Sequence, residues 1–199
     1  SRSFHDPFPR CGLNPDSTLE ALRTGLASFL GLPLCLDPCE VPGVVLGAPF
    51  DGGVIHRPGA RMGPWAIRSA TMGLGRLPMP LRLQGHDEGG RGFAAMDWVD
   101  GGNIPTGPFN LEEALGAVEA TVGAWTAAGA RTLILGGDHL MTLGALRAQA
   151  RRHVPLGLLH LDAHPDAAQH MEDCPWWAPF FTIGADGKRR PTHPSAPTR

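Results

Sequence analysis

The chain is short of several features that would narrow its role at once. No apolar run in its 199 residues approaches the roughly 20 needed to cross a bilayer. The N-terminus, "SRSFHDPFPR", has no apolar core of the signal-peptide kind. A soluble, intracellular (cytoplasmic) protein is therefore expected, without a membrane partner. Net charge is only −2, which lacks the basic excess of a nucleic-acid footprint. Cysteine is sparse: Cys11, Cys35, Cys39 and Cys174 are scattered and none forms a Cys-x-x-Cys pair. That excludes a zinc-finger spacing and a visible disulfide framework. No internal repeat is evident, and the first residue is Ser rather than Met, as expected of a processed or partial chain.

What is present is an alternation of short apolar runs and helical stretches. "GVVLGAPF" (43–50) and "FAAMDWVD" (93–100) read as strands. So do "TLILGGDH" (132–139) and "LGLLHLDAH" (156–164). Residues 73–92 read as loop. "DSTLEALRTGLASFLG" (16–31) has helical spacing, and "GPWAIRSAT" (63–71) carries Pro64 in what would be a first turn. The clearest helix is "NLEEALGAVEATVGAWTAAGA" (110–130). Asn110 caps it, Glu113 completes a capping box, and Gly129 ends it. Leu111, Leu115, Val118, Val122 and Trp125 form its apolar stripe. "LMTLGALRAQARRH" (140–153) is a helix whose basic last turn suits the dipole. Trp98 and Trp125 are expected in the core.

Continuous apolar strands alternating with helices indicate an α/β domain: three α-β-α layers around a mainly parallel sheet. Ligands of such sheets bind beyond the carboxyl ends of the strands. The polar groups Asp51, Asp138-His139 and Asp162 to Asp166 all fall at such ends.

The densest chemistry lies in "LLHLDAHPD" (158–166). Asp162, His164 and Asp166 stand two apart, so an extended backbone points all three to one side. His139 ends the preceding strand and is expected to join them. Carboxylate and imidazole without thiolate suit Mn²⁺, and also accept Zn²⁺, Fe²⁺ or Ni²⁺. Asp138 is expected to support a ligand rather than be one. Asp51 and the loop Arg57 to Arg61 are read as turn chemistry. His5, His56, His86, His160, His170 and His193 belong to no motif and are read as ordinary polar residues.

"GGDH" followed by "HLDAHPD" resembles the ureohydrolase superfamily of arginases, agmatinases and related guanidino-group hydrolases. "GAPFDGG…HRPGARMGPWAIR" (47–68) resembles the N-terminal motif of its agmatinase-like branch. The resemblance implies an arginase-like fold and a small guanidino substrate, with agmatine first and a guanidino acid second. It implies manganese in a binuclear site, with hydroxide attack on the guanidinium carbon releasing urea and an amine. His139, Asp162 and Asp166 match the ligands of one ion; Asp162 also bridges to the second, which His164 helps to hold. Residues that bind the rest of the substrate are not identified. The resemblance leaves open an assembly of identical copies.

The chain departs from that family in two places. No Ser-x-Asp-x-Asp-x-x-Asp-Pro segment follows Asp166, where the family has its remaining metal ligands. "CPWWAPFF" puts Trp176 where agmatinases carry a His, with Phe180 matching the Phe beyond it. A C-terminally incomplete domain over 1–187 is expected, with a disordered basic, Pro-rich tail at 188–199. The second metal site is expected to be incomplete and activity impaired. The alternatives are an active enzyme whose missing half another chain supplies, a metal-binding or scaffold paralogue without catalysis, and a hydrolase of a guanidino acid or formimino compound.

Overall fold

In the computed structural model, the described residues are 27–54, 56–71, 97–153, 155–162, 181–183 and 189–191. Six main elements alternate: β1 (Gly43–Ala48), α1 (Gly63–Thr71), β2 (Trp98–Asn103), α2 (Leu111–Ala127), β3 (Arg131–Gly136) and α3 (Met141–Ala150). Single 3-10 turns occur at Phe29–Gly31 and Ala60–Met62. Two short strands, β4 (Phe181–Ile183) and β5 (Arg189–Pro191), pair antiparallel. The helix expected over 16–31 lies mostly outside the described residues, as does the loop expected over 73–92. Of the tail expected to be disordered, Arg189–Pro191 form β5; the rest of 188–199 lies outside the described residues.

The three main strands form a parallel sheet in the order β2-β1-β3. All six residues of β1 are buried. Alternate β1 side chains face opposite ways, and the two faces meet different helices. Val44, Leu46 and Ala48 belong to the core cluster with Leu115, Val118, Val122 and Trp125 of α2 and Met141 and Leu143 of α3. Gly47 faces the other way, where Pro64 and Arg68 of α1 pack so closely that a Cβ would strike them. The fold is thus a parallel α/β sheet with helices on both faces, the layering that the sequence pattern predicts. Each fully buried Val or Leu of β1 contributes about 1.5–3 kcal/mol of transfer free energy as an upper estimate.

Local sequence explains the helix ends. The Asn110 side chain accepts the Glu113 backbone N–H at 3.2 Å and donates to the Glu113 carboxylate at 2.9 Å. The five stripe residues of α2 are all buried. Gly129 leaves the helix at φ +92°, a conformation costly for any residue with a Cβ.

On the α1 face, Arg68 and Asp100 form a buried bidentate pair that sequence reading did not anticipate. Arg68 Nε donates to Asp100 Oδ2 at 2.8 Å and Nη2 donates to Oδ1 at 2.9 Å. Nη1 also donates to Asn103 Oδ1, and Nη2 to the Gly102 carbonyl. Asp100 further accepts the backbone N–H groups of Phe29 and Gly102. A β-bulge between Val45 and Gly47 on the β1–β2 ladder lets both Asp100 and Asn103 reach the same guanidinium. Residues 33–35 also bridge to Asp100, covering part of the outer edge of β2. The sulfurs of Cys35 and Cys39 lie 3.5 Å apart in the same stretch.

The strand expected over 156–164 requires correction. Among the described residues, 155–162 form no strand and β3 is the edge of the sheet. Leu159 and Leu161 are 82% and 87% exposed. Apolar character supplied the pattern of a buried strand, but no described ladder pairs with this segment and its leucines lack cover.

Candidate metal centre

The site begins where β1 and β3 end side by side. The helix that follows β1 lies on one face of the sheet and the helix that follows β3 lies on the other. Such a reversal opens a crevice at the carboxyl edge of a parallel sheet. Gly137 makes the crossing: a Cβ there would stand 2.5 Å from the Phe50 carbonyl oxygen. The next residue, Asp138, donates its backbone N–H to that same carbonyl at 2.7 Å.

Asp138 is buried and each of its carboxylate oxygens accepts a backbone N–H. Oδ2 accepts the Gly53 N–H at 2.7 Å and Oδ1 accepts the Leu140 N–H at 2.9 Å. It therefore pins the loop after β1 to the turn that opens α3. His139 is held between these fixed points, and its carbonyl accepts the Thr142 N–H at 3.0 Å. The backbone that carries His139 is thus fixed on either side.

The loop after β1 is fastened by Asp51. Its carboxylate accepts the Gly59 N–H at 2.8 Å and Arg61 Nε at 2.5 Å, and it pairs with a terminal nitrogen of the same guanidinium. The hydrogen bond from Arg61 holds the Asp51 carboxyl below the ordinary carboxylate range, against the opposing effect of burial. Arg57 adopts φ +58° and Gly59 φ +124°, so the loop folds back on the carboxylate. The expected turn chemistry of this loop is what these bonds show.

Across the crevice, His139 Nδ1 lies 3.2 Å from Asp162 Oδ2. Sequence reading expected His139, Asp162, His164 and Asp166 to converge. The structure brings the first two together; His164 and Asp166 lie outside the described residues. It also brings in a residue that sequence reading passed over. His160 Nε2 is 3.9 Å from the same Asp162 oxygen, and its ring centroid is 5.6 Å from that of His139. One ligand atom from each of His139, His160 and Asp162 lies within 4.8 Å of the others. The signal that finds His160 is parity: it stands two residues before Asp162, on the same side of an extended chain.

A cavity of about 620 Å³ adjoins the cluster and runs along β3. Thr132, Ile134, Asp138, His139, Thr142 and Asp162 line it. Two imidazoles and a carboxylate in half-exposed positions are donors suited to a divalent transition ion. No helix among the described residues is long and apolar enough to cross a membrane.

Comparison with known proteins agrees with this architecture. Residues 41–177 match the arginase family. The chain is 40% identical over 151 residues to proclavaminate amidinohydrolase from Streptomyces clavuligerus, covering 76% of this chain and 46% of that protein. It is 34% identical to the mitochondrial guanidino acid hydrolase of Homo sapiens, over 76% of this chain and 41% of that protein. The solved structure of the Streptomyces enzyme superposes with a TM-score of 0.66, at 38% identity, over 77% of this chain and 50% of that one. A Trypanosoma cruzi formiminoglutamase solved with Mn²⁺ superposes with a TM-score of 0.55, at 28% identity, over 70% and 46% of the two chains. The chain spans about half the length of the curated relatives it matches. With its parallel sheet, its crevice between β1 and β3 and a family match over 41–177, the chain belongs to the arginase family.

Proposed function

We propose that this chain is part of a manganese-dependent amidinohydrolase that cleaves a guanidino group to urea and an amine. The observation that carries the reading is the 3.2 Å approach of His139 to Asp162 at the carboxyl edge of the sheet. The donors fit a divalent ion: a carboxylate and imidazoles, on a crevice wide enough to admit a small molecule. His139 and Asp162 would hold the ion, with His164 and Asp166 completing the set that the resemblance implies.

When bound, such an ion supplies hydroxide near neutral pH and polarises the bond to be cleaved. The chain's own contribution is position. Asp138 fixes the turn that aims His139, and Asp51 with Arg61 fixes the facing loop. Both carboxylates serve the loops rather than the cluster: each accepts backbone or guanidinium donors.

Agmatine is the first substrate to test, because of the "RPGAR" loop. The second reading, a guanidino acid, is favoured by the 34% identity to a guanidino acid hydrolase. The test is urea release from agmatine and from 3-guanidinopropionate with added Mn²⁺, beside metal analysis of the desalted chain. The 199-residue chain should retain one firmly held ion and release urea slowly. Both properties should vanish in His139→Ala and Asp162→Ala. Urea release and metal content unaffected by either substitution would sink the proposal.

A further inference from the structure

A second reactive feature lies at the other end of the strands from the metal centre and is independent of it. Residues 33–35 run beside β2, and the chain then turns through 36–42 into β1. Two sulfurs lie in this stretch. Cys39 is disulfide-bonded. Cys35 is a buried thiol whose sulfur lies 3.5 Å from the Cys39 sulfur. Cys39 itself is half-buried and lines a cavity of about 910 Å³ with Pro38, Val41, Pro42 and Gly129, the residues that precede β1 and β3. We propose that Cys39 is a thiol-exchange site, open through this cavity to a small-molecule thiol, with Cys35 as the thiol that resolves the adduct.

The chemistry balances without an oxidant. The thiolate of the incoming molecule attacks the Cys39 sulfur. A new S–S bond forms, the old one breaks, and the sulfur formerly bonded to Cys39 leaves as a thiolate. Cys35 then gives its proton to water and attacks the same Cys39 sulfur. A Cys35–Cys39 bond forms, and the small molecule leaves as the thiolate it began as. One disulfide exists before and after each step, so no electrons are gained or lost.

Position sets the order of the steps. Burial pushes the Cys35 thiol up, so it stays protonated and attacks slowly. The incoming thiol reaches Cys39 through the cavity and reacts first. It also diffuses away when displaced, which a sulfur held by the chain cannot do. To bond, the two sulfurs must then close by about 1.5 Å. The Cys35 backbone is fixed, because its N–H donates to the Asp100 carbonyl at 2.9 Å. Leu36, Asp37 and Pro38 are exposed, so the movement falls on the loop that carries Cys39. The new bond ties that loop to the segment along β2.

The experiment exposes the full chain, purified without reductant, to a catalytic amount of reduced glutathione. Remaining thiols are blocked, and trypsin cuts after Arg23 and Arg61. Acid then cleaves the Asp37–Pro38 bond, which lies between the two cysteines, and leaves disulfides intact. Halves of the 24–61 peptide that stay joined until reduction report the Cys35–Cys39 bond. Wild type should gain that bond and hold no glutathione. Cys35→Ala should instead keep glutathione on Cys39 as a stable adduct. Wild-type halves that never stay joined overturn the proposal, whether or not the variant folds. Glutathione retained equally by wild type and Cys35→Ala overturns it too, as does a bond that forms equally without added thiol.

Discussion

β1 and residues 156–161 are spelled in the same alphabet, "GVVLGA" and "LGLLHL", yet they occupy opposite environments. β1 is paired on both sides and covered on both faces, and all six of its residues are buried. The second segment joins no strand, and Leu159 and Leu161 face water. An apolar run records what a segment would gain by burial. A strand forms only where another backbone accepts its hydrogen bonds and a helix layer closes over the side chains. β1 has both conditions, with α1 on one face and α2 and α3 on the other; 156–161 has neither among the described residues.

The comparison can be broken most severely beside β1. Asp100→Ala should strand the buried Arg68 guanidinium and cost about 3–5 kcal/mol, a large part of the roughly 5–15 kcal/mol that holds a domain. Urea denaturation reads this directly. A loss below about 1 kcal/mol would mean that water reaches the pair and that the α1 face is not closed.

Leu46→Ala removes a side chain only 1% exposed from the centre of the core. It should cost about 2–5 kcal/mol in the same denaturation experiment. A value near zero would place β1 and the exposed segment in the same class.

A milder test titrates the loop after β1. Asp51 has its carboxyl held low in the folded chain, so its contribution is present above the unfolded value of 3.8 and is lost as pH falls through the lower folded value. Wild type should therefore melt above Asp51→Asn near neutral pH, and the gap should close in acid. A gap that widens on acidification contradicts the Arg61 pairing.

The smallest effect is expected in the segment without a strand. Leu159→Ala should change stability by no more than about 0.5 kcal/mol. A cost equal to that of Leu46→Ala would show that 156–161 packs as a strand in solution.

Much of the framework was readable because it depends on neighbours in sequence. α1 runs over the nine residues whose pattern suggested it, and the Asn110 cap and stripe of α2 follow from spacing alone. The approach of His139 to Asp162 follows from two polar groups placed at the ends of successive apolar runs. What escaped depends on distance along the chain. Arg68 and Asp100 are 32 residues apart, and neither position announces a partner. His160 escaped for another reason: the Asp-x-His-x-Asp pattern begins at Asp162, and the same alternation extends one step back. That 155–162 join no strand among the described residues was illegible because pairing and cover are properties of the whole sheet.

Among the described residues β3 is the last strand of the sheet, and an edge of that kind is where a further backbone, from this chain or another, can add to the ladder.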